Sequence, residues 1–172
     1  MIIQTHFDYK IPKQILFLEC MIEDCQSDYF IPLIEKGVKD ESNCNYWTNV
    51  KGQMTSFRYF NEDEIFKKLL IKSVRDLNLH FNNLELEEAW GIKMSEGEYT
   101  QEHNHNTAFS GIFYLNDHDT EIEFPEINKS VQCRKGKFLF FTGSLFHKTK
   151  PLGPGVKYAI PFNIQDNVKK NI

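Results

Sequence analysis

The sequence predicts an α+β fold in which a helical layer from the first half of the chain packs on a small β-sandwich from the second half. Before residue 84, apolar residues recur at helical spacing. From Leu84 onward, short strand-like runs alternate with glycine, proline, asparagine and aspartate. The chain has 172 residues, about the size of one domain, and no linker or repeat divides it. We therefore predict a single domain over 1–172, with mainly helical support from 1–83 and a β core over 84–172.

The clearest helical segment is 61–77, where apolar residues recur at positions 65/66, 69/70, 74 and 77. Asn61 is predicted to cap this helix, with Glu64 in the position of a capping-box partner. Residues 14–36 are also predicted to be helical. Within them Ser27 is expected to cap a second turn, and Pro32 is expected to break or bend the helix.

Seven strands are predicted in the second half, each bounded by turn-forming residues: 84–94, 98–105, 109–115, 121–124, 130–133, 137–142 and 156–164. Short strands at this spacing are typical of antiparallel sandwiches and barrels.

Composition argues against several functional classes. The formal net charge is −4, whereas nucleic-acid-binding proteins present a basic face, so no nucleic-acid partner is expected. No apolar run approaches the roughly 18 residues of a membrane span, and the first residues lack a signal-peptide pattern. The four cysteines form no CxxC pair, which is typical of reduced thiols in the cytoplasm. We expect a cytoplasmic protein without a membrane anchor.

Three of the six histidines form a candidate metal site. His103 and His105 are two residues apart in a predicted strand, so their side chains are expected on the same face of the sheet. His147 follows an apolar strand farther along the chain. Three imidazoles from two strands can hold one face of a metal and leave the opposite face open. The other three, His6, His80 and His118, are expected to be surface or hydrogen-bonded residues.

The segment 90–164 resembles the core of the Fe(II)/2-oxoglutarate-dependent oxygenases, and most closely the small bacterial and phage group related to prolyl hydroxylases. The resemblance is carried by five segments in the family's order: WG at 90–91, FSGIFYL at 109–115, EIEFP at 121–125, GKFLFFTGSLFH at 136–147 and KYAIPFN at 157–163. It implies a double-stranded β-helix core of the jelly-roll or cupin-like type. It also implies hydroxylation of a small-molecule or peptide substrate, with 2-oxoglutarate converted to succinate and CO2.

The resemblance implies that His103, His105 and His147 hold Fe(II). In the family, the position of His105 is occupied by a carboxylate, so this sequence departs from the pattern there. Glu102, Asp117 or Glu123 would be the alternative third ligand, with His105 beside the metal ligands.

The same resemblance places Lys157 where the family has the arginine that holds the far carboxylate of 2-oxoglutarate. Tyr99 and Tyr114 are further candidates for hydrogen bonds to this cosubstrate. Two other functions remain open. One is a cupin-like three-histidine dioxygenase that does not use 2-oxoglutarate, and the other is a binding or structural barrel without catalysis.

Overall fold

The computed structural model describes residues 15–40, 48–77 and 84–166. Within them lie two helices, α1 (Ser27–Gly37) and α2 (Glu64–Asp76). The strands are β1 (Phe17–Met21), β2 (Val50–Lys51), β3 (Gln53–Met54), β4 (Leu84–Ala89), β5 (Ile92–Ser95), β6 (Tyr99–Thr100), β7 (Phe109–Tyr114), β8 (Glu121–Phe124), β9 (Lys129–Gln132), β10 (Lys137–Thr142), β11 (Lys148–Thr149) and β12 (Val156–Asp166). In this part of the chain, neither helix has the length and apolar character needed to cross a membrane.

The strands form one large antiparallel sheet and two small ones. The large sheet has seven strands in the order β1-β10-β7-β12-β5-β3, with β4 also paired to β12. The small sheets are β11-β8-β9 and β2-β6. The fold is therefore mostly β-sheet, as the sequence predicts for the second half of the chain.

The large sheet is buried on both faces. Alternate residues of its central strands point in opposite directions, and each set packs in a separate apolar cluster. One set, which includes Phe113, Phe138 and Ile160, packs with α1 and α2 in a first apolar cluster. The other set, which includes Ile112 and Leu139, packs with β8 and β9 in a second cluster. The space between the two sheets therefore lies on the side of the large sheet away from the helices.

The first half of the chain is less helical than predicted. The helix predicted over 14–36 is wrong over Phe17–Met21, which form strand β1 and pair with Lys137–Phe141 of β10. Local apolar spacing does not reveal this pairing, because the partner strand lies more than a hundred residues away. Strands β2 and β3 also precede residue 84.

Helix α1 begins at Ser27, after Gln26 in a left-handed conformation (φ 51°). The prediction that Ser27 caps a turn is wrong, because its hydroxyl donates to the Leu115 carbonyl in the β half. The helix continues through Pro32 to Gly37.

Asp63, rather than Asn61, caps helix α2. Its carboxylate accepts a hydrogen bond from the backbone N–H of Phe66 at 2.8 Å. The Asn61 amide instead connects this segment to β4, because it donates to the Glu87 carbonyl and accepts from the Ala89 N–H.

The predicted strand 84–94 is interrupted at Trp90 and Gly91, between β4 and β5. A Cβ at position 91 would lie 2.5 Å from Cγ1 of Ile34 in α1. The glycine therefore allows α1 to approach the large sheet closely.

Candidate metal centre and adjoining pocket

The side chains of His103, His105 and His147 converge at one point between the sheets. Their candidate ligand nitrogens all lie within 4.8 Å of one another. The ring centroids are separated by 4.3 Å for His103 and His147, 4.9 Å for His103 and His105, and 5.2 Å for His105 and His147. Three of the four histidines in the described residues thus form one cluster, and these are the three that the sequence predicts.

Backbone hydrogen bonds fix the three histidines relative to one another. His103 and His147 exchange both of their N–H···O=C bonds, at 3.1 and 2.9 Å, and so lie directly opposite each other. The N–H of His105 donates to the Gly143 carbonyl at 2.8 Å. The predicted strand 98–105 is wrong beyond Thr100, where β6 ends. His105 therefore reaches the cluster through its bond to Gly143 and not through a continuous strand.

Gly143 has no room for a side chain at this position. A Cβ there would lie 2.3 Å from the Thr107 carbonyl oxygen and 2.5 Å from the Thr107 hydroxyl oxygen. Its own N–H donates to the Ala108 carbonyl at 3.2 Å. The close approach of the 105–108 and 143–147 segments thus depends on glycine here.

Replacing Gly143 with alanine is expected to lower the free energy of unfolding by about 1–3 kcal/mol, because the added methyl group overpacks a rigid backbone contact. Urea denaturation of the two proteins measures the change. Gly153→Ala is the matched control, since a Cβ at position 153 meets nothing within 4 Å. Equal losses in the two variants would contradict the steric explanation.

Two of the three rings are held in the tautomer that suits metal binding. Nδ1 of His103 lies 2.7 Å from the Gln101 carbonyl, and Nδ1 of His147 lies 3.0 Å from the Leu145 carbonyl. Because a carbonyl oxygen only accepts, each Nδ1 carries the hydrogen and each Nε2 keeps its lone pair. Ring orientation by a backbone carbonyl is the usual arrangement for metal-ligating histidines.

The surroundings also keep the imidazoles uncharged. Burial, and then repulsion from the positive charge that His103 carries when protonated, lower the pKa of His147 to about 3. The same two causes lower the pKa of His105 to about 4. Burial likewise lowers the pKa of His103, in opposition to its bond with the Gln101 carbonyl. Neutral imidazole is the form that ligates metals, so the three residues fit a divalent transition-metal ion.

The three alternative carboxylates are engaged elsewhere. Glu102 pairs with Lys148 at 3.0 Å, and Glu123 pairs with Lys150 at 2.8 Å. Asp117 accepts a hydrogen bond from the backbone N–H of Lys135 at 3.0 Å. Among the described residues, no carboxylate joins the three-histidine group.

A pocket with a solvent-accessible volume of about 50 Å³ adjoins the histidines and opens to solvent. Residues of β7 and β12 line it, together with residues of β8, β10 and β11. Much of the lining is apolar, including Ile112, Ile122 and Phe141. The sheets thus form a largely apolar pocket with the candidate ligands in its wall.

Lys157 lies in this pocket with only 2% of its surface exposed. Burial lowers the pKa of its ammonium group to about 8, and the effect of Cys133 opposes this shift. No carboxylate within the described ranges forms an ion pair with it. A buried cation without an anionic partner is costly, and an anionic ligand in the pocket would offset that cost.

The two tyrosines predicted beside Lys157 have different positions. Tyr114 is 1% exposed and lines the pocket. It lies opposite Ala159 of β12, and Lys157 is two residues before Ala159 in the same strand. Tyr99 is 36% exposed and is absent from the pocket lining, in which the next residue, Thr100, takes part. The structure therefore brings Tyr114 to the site and does not bring Tyr99.

His118 agrees with its expected structural role, since it is buried and its Nδ1 accepts a hydrogen bond from the Thr120 N–H. His6 and His80 lie outside the described residues.

Asn163 and Trp90 also line the pocket, and the sequence interpretation missed both. The sequence spacing could have identified Asn163. Asn163 lies six residues after Lys157 in one strand, so the two side chains share a face. The Asn163 amide is fixed by the Ser110 hydroxyl at 2.8 Å and by the Glu88 carboxylate at 3.1 Å.

Comparison with known proteins found similar solved structures. The viral collagen prolyl hydroxylase of Paramecium bursaria Chlorella virus-1, in its 2-oxoglutarate complex, superposes with a TM-score of 0.68 at 18% identity, over 86% of this chain and 94% of that one. A prolyl-4-hydroxylase of Pseudomonas putida gives a TM-score of 0.60 at 12% identity, over 88% and 92% of the two chains.

A third structure, HygX of Streptomyces hygroscopicus with nickel and 2-oxoglutarate bound, gives a TM-score of 0.62 at 12% identity over 88% of this chain and 83% of that one. No family model matches the sequence, and no curated protein matches it. The chain therefore shares the fold of these three proteins, in agreement with the fold that the sequence resemblance implies.

Proposed function

We propose that the protein is a non-haem Fe(II)- and 2-oxoglutarate-dependent oxygenase that hydroxylates a small-molecule or peptide substrate. The observation that carries the proposal is the presence, in one pocket, of three neutral imidazoles and a buried, unpaired lysine. The first arrangement suits a divalent metal, and the second suits a carboxylate. The bound 2-oxoglutarate and metals named for the similar structures support the same assignment.

In this proposal His103, His105 and His147 hold the iron, which supplies the activation of dioxygen. Lys157 neutralises the far carboxylate of 2-oxoglutarate, and Tyr114 offers its hydroxyl beside it. The apolar residues between them exclude water from the reacting groups. The overall reaction consumes the substrate, 2-oxoglutarate and O2, and yields hydroxylated substrate, succinate and CO2. We further propose that the two facing sheets form a double-stranded β-helix core within a single domain.

Anaerobic titration tests this function. The metal-free protein is first loaded with Fe(II), and 2-oxoglutarate is then added while the visible absorption spectrum is recorded. A weak metal-to-ligand charge-transfer band is expected, and admission of air should produce succinate. Iron binding without this band would favour the cupin-like dioxygenase. A failure to bind iron would favour a barrel without catalysis.

Binding of 2-oxoglutarate is expected to weaken as the pH rises above about 8. The folded protein loses the Lys157 proton near pH 8, and the neutral amine cannot offset a carboxylate. If binding requires that proton, the affinity falls up to about tenfold per pH unit above the pKa. Burial raises the pKa of the neighbouring Cys133 thiol to about 12, so the thiol remains protonated over this range. Calorimetric titration at pH 7, 8 and 9 measures the trend, and a flat profile would contradict the assigned role of Lys157.

The reducing, cytoplasmic location expected from the cysteines remains a prediction. Cys20, Cys25 and Cys133 are free thiols, and Cys44 lies outside the described residues.

A further inference from the structure

The electric charge of the pocket points to a property of its substrate. The ionisable groups in the described lining are the three histidines, Tyr114, Lys148 and Lys157. No aspartate or glutamate of the described chain lines the pocket. All of the fixed charge in the lining is therefore positive.

One of these charges is already balanced. The Lys148 ammonium group lies 3.0 Å from a carboxylate oxygen of Glu102, and both side chains are partly exposed. The other lysine, Lys157, is buried and has no such partner. Lys157 therefore contributes a full positive charge to the pocket interior when it is protonated.

His105 increases the excess of positive charge in the pocket once a metal is bound, because it takes the place of a negatively charged ligand. A ligating imidazole is neutral, so three of them leave both charges of a divalent ion uncompensated. The ion and Lys157 together carry three positive charges, and 2-oxoglutarate brings two negative ones. A carboxylate at position 105 would remove the remaining positive charge.

We propose that this pocket takes one further anionic group besides 2-oxoglutarate, and that the group is the carboxylate of the organic substrate. This inference rests on the proposed function. The apolar lining favours an organic acid over an inorganic anion, because Ile112, Ile122 and Phe141 can cover an aliphatic chain. The substrate class is thus a carboxylic acid with an apolar body, either a small molecule or an acidic residue of a peptide.

The test uses Co(II)-loaded protein saturated with 2-oxoglutarate in chloride-free buffer. Binding of acetate, butyrate, chloride and neutral acetamide is followed by the visible spectrum of the cobalt ion, and retention of 2-oxoglutarate is measured by equilibrium dialysis. Acetate is expected to bind at least tenfold more tightly than acetamide. Butyrate should gain about fourfold per added methylene group.

Two variants connect the effect to position 105. His105→Asp and His105→Glu are expected to weaken acetate binding at least tenfold, because either carboxylate removes the surplus charge. The comparison is read in whichever variant retains cobalt and 2-oxoglutarate. Lys150→Met is the matched control, since Lys150 is exposed and pairs with Glu123, and neither residue lines the pocket. It should leave acetate binding unchanged.

The outcomes separate this inference from the function on which it rests. Failure of the wild-type protein to bind cobalt or 2-oxoglutarate contradicts the proposed function. If both bind, the inference is overturned by equal affinities for acetate and acetamide, by displacement of 2-oxoglutarate, or by unchanged acetate affinity in the variants. Chloride binding as tight as that of butyrate overturns the assignment to an organic acid.

Discussion

Replacement of His147 with alanine is expected to lower the affinity of the protein for Fe(II) by more than a hundredfold. Loss of a residue that only orients a metal ligand typically weakens binding by 10–100-fold, so loss of a ligand should exceed that range. His147 is 5% exposed, and its ring lies against Phe124 and Phe141, with centroids 5.9 and 4.9 Å away. No described side chain outside the cluster is placed to replace it. Anaerobic competition against a coloured chelator measures the affinity.

His118→Ala provides the control for this variant. Like His147, His118 is buried, but its ring is hydrogen-bonded to Thr120 and lies outside the cluster. Its replacement should leave iron affinity unchanged. The backbone bonds between His103 and His147 do not involve the ring, so His147→Ala should remain folded, and circular dichroism can establish this. Wild-type iron affinity in folded His147→Ala protein would show that the three histidines do not form the metal site.

The histidine cluster could be predicted from the sequence although the strand predicted to hold its first two members was wrong. Spacing and resemblance together singled out His103, His105 and His147. The strand expected to align the first two ends at Thr100. Their convergence depends instead on the exchange of backbone bonds with His147 and on the contact at Gly143. Such long-range contacts leave no periodic pattern in either segment.

Strand β1 shows the opposite case, in which local pattern was misleading. Residues Phe17–Met21 are mostly apolar and lie shortly before helix α1, so the apolar pattern predicts one helical segment over both. Their conformation is set by pairing with β10, and no local pattern in the sequence predicts this long-range pairing. The strands of the second half are more predictable, because turn residues bound them on both sides.

Register explains why one predicted tyrosine reaches the pocket and the other does not. A shift of one residue moves a side chain to the opposite face of a sheet. In β6 it is Thr100 that lines the pocket, so Tyr99 is directed away from it. In β7 the alternation brings Ile112 and Tyr114 to the same lining. Sequence alone identified the residue type and the strand but could not determine the register.

Replacement of Lys157 with methionine is expected to have opposite effects on ligand binding and on stability. The variant should bind 2-oxoglutarate about a hundredfold more weakly, since removal of one partner from a buried charge pair typically costs 2–5 kcal/mol. Metal affinity should be unchanged, because Lys157 is not among the three clustered ligands. Calorimetric titration of the metal-free protein with Co(II), and then of the cobalt-loaded protein with 2-oxoglutarate, measures the two affinities.

The free energy of unfolding of the ligand-free protein should instead increase in Lys157→Met. Burial lowers the pKa of Lys157 from 10.5 to about 8. At pH 7 the charged form of this lysine is therefore less favourable in the folded protein than in the unfolded chain. Methionine has a similar volume and no charge, and relief of this penalty is expected to contribute about 1–3 kcal/mol. The pH dependence gives a second signature. Between pH 8 and 10.5 the unfolded wild-type chain binds more protons than the folded protein, so wild-type stability rises there, and this rise should be absent from the variant.

A combined loss of 2-oxoglutarate affinity and gain of stability is difficult to explain by damage to the fold. A residue with only a packing role would lower stability when replaced, and a solvated lysine would alter neither property. Residues whose removal stabilises a protein and weakens its ligand binding are typical of functional sites. If Lys157→Met bound 2-oxoglutarate with wild-type affinity, another residue would hold the far carboxylate, and the buried ammonium group would need a different anionic partner.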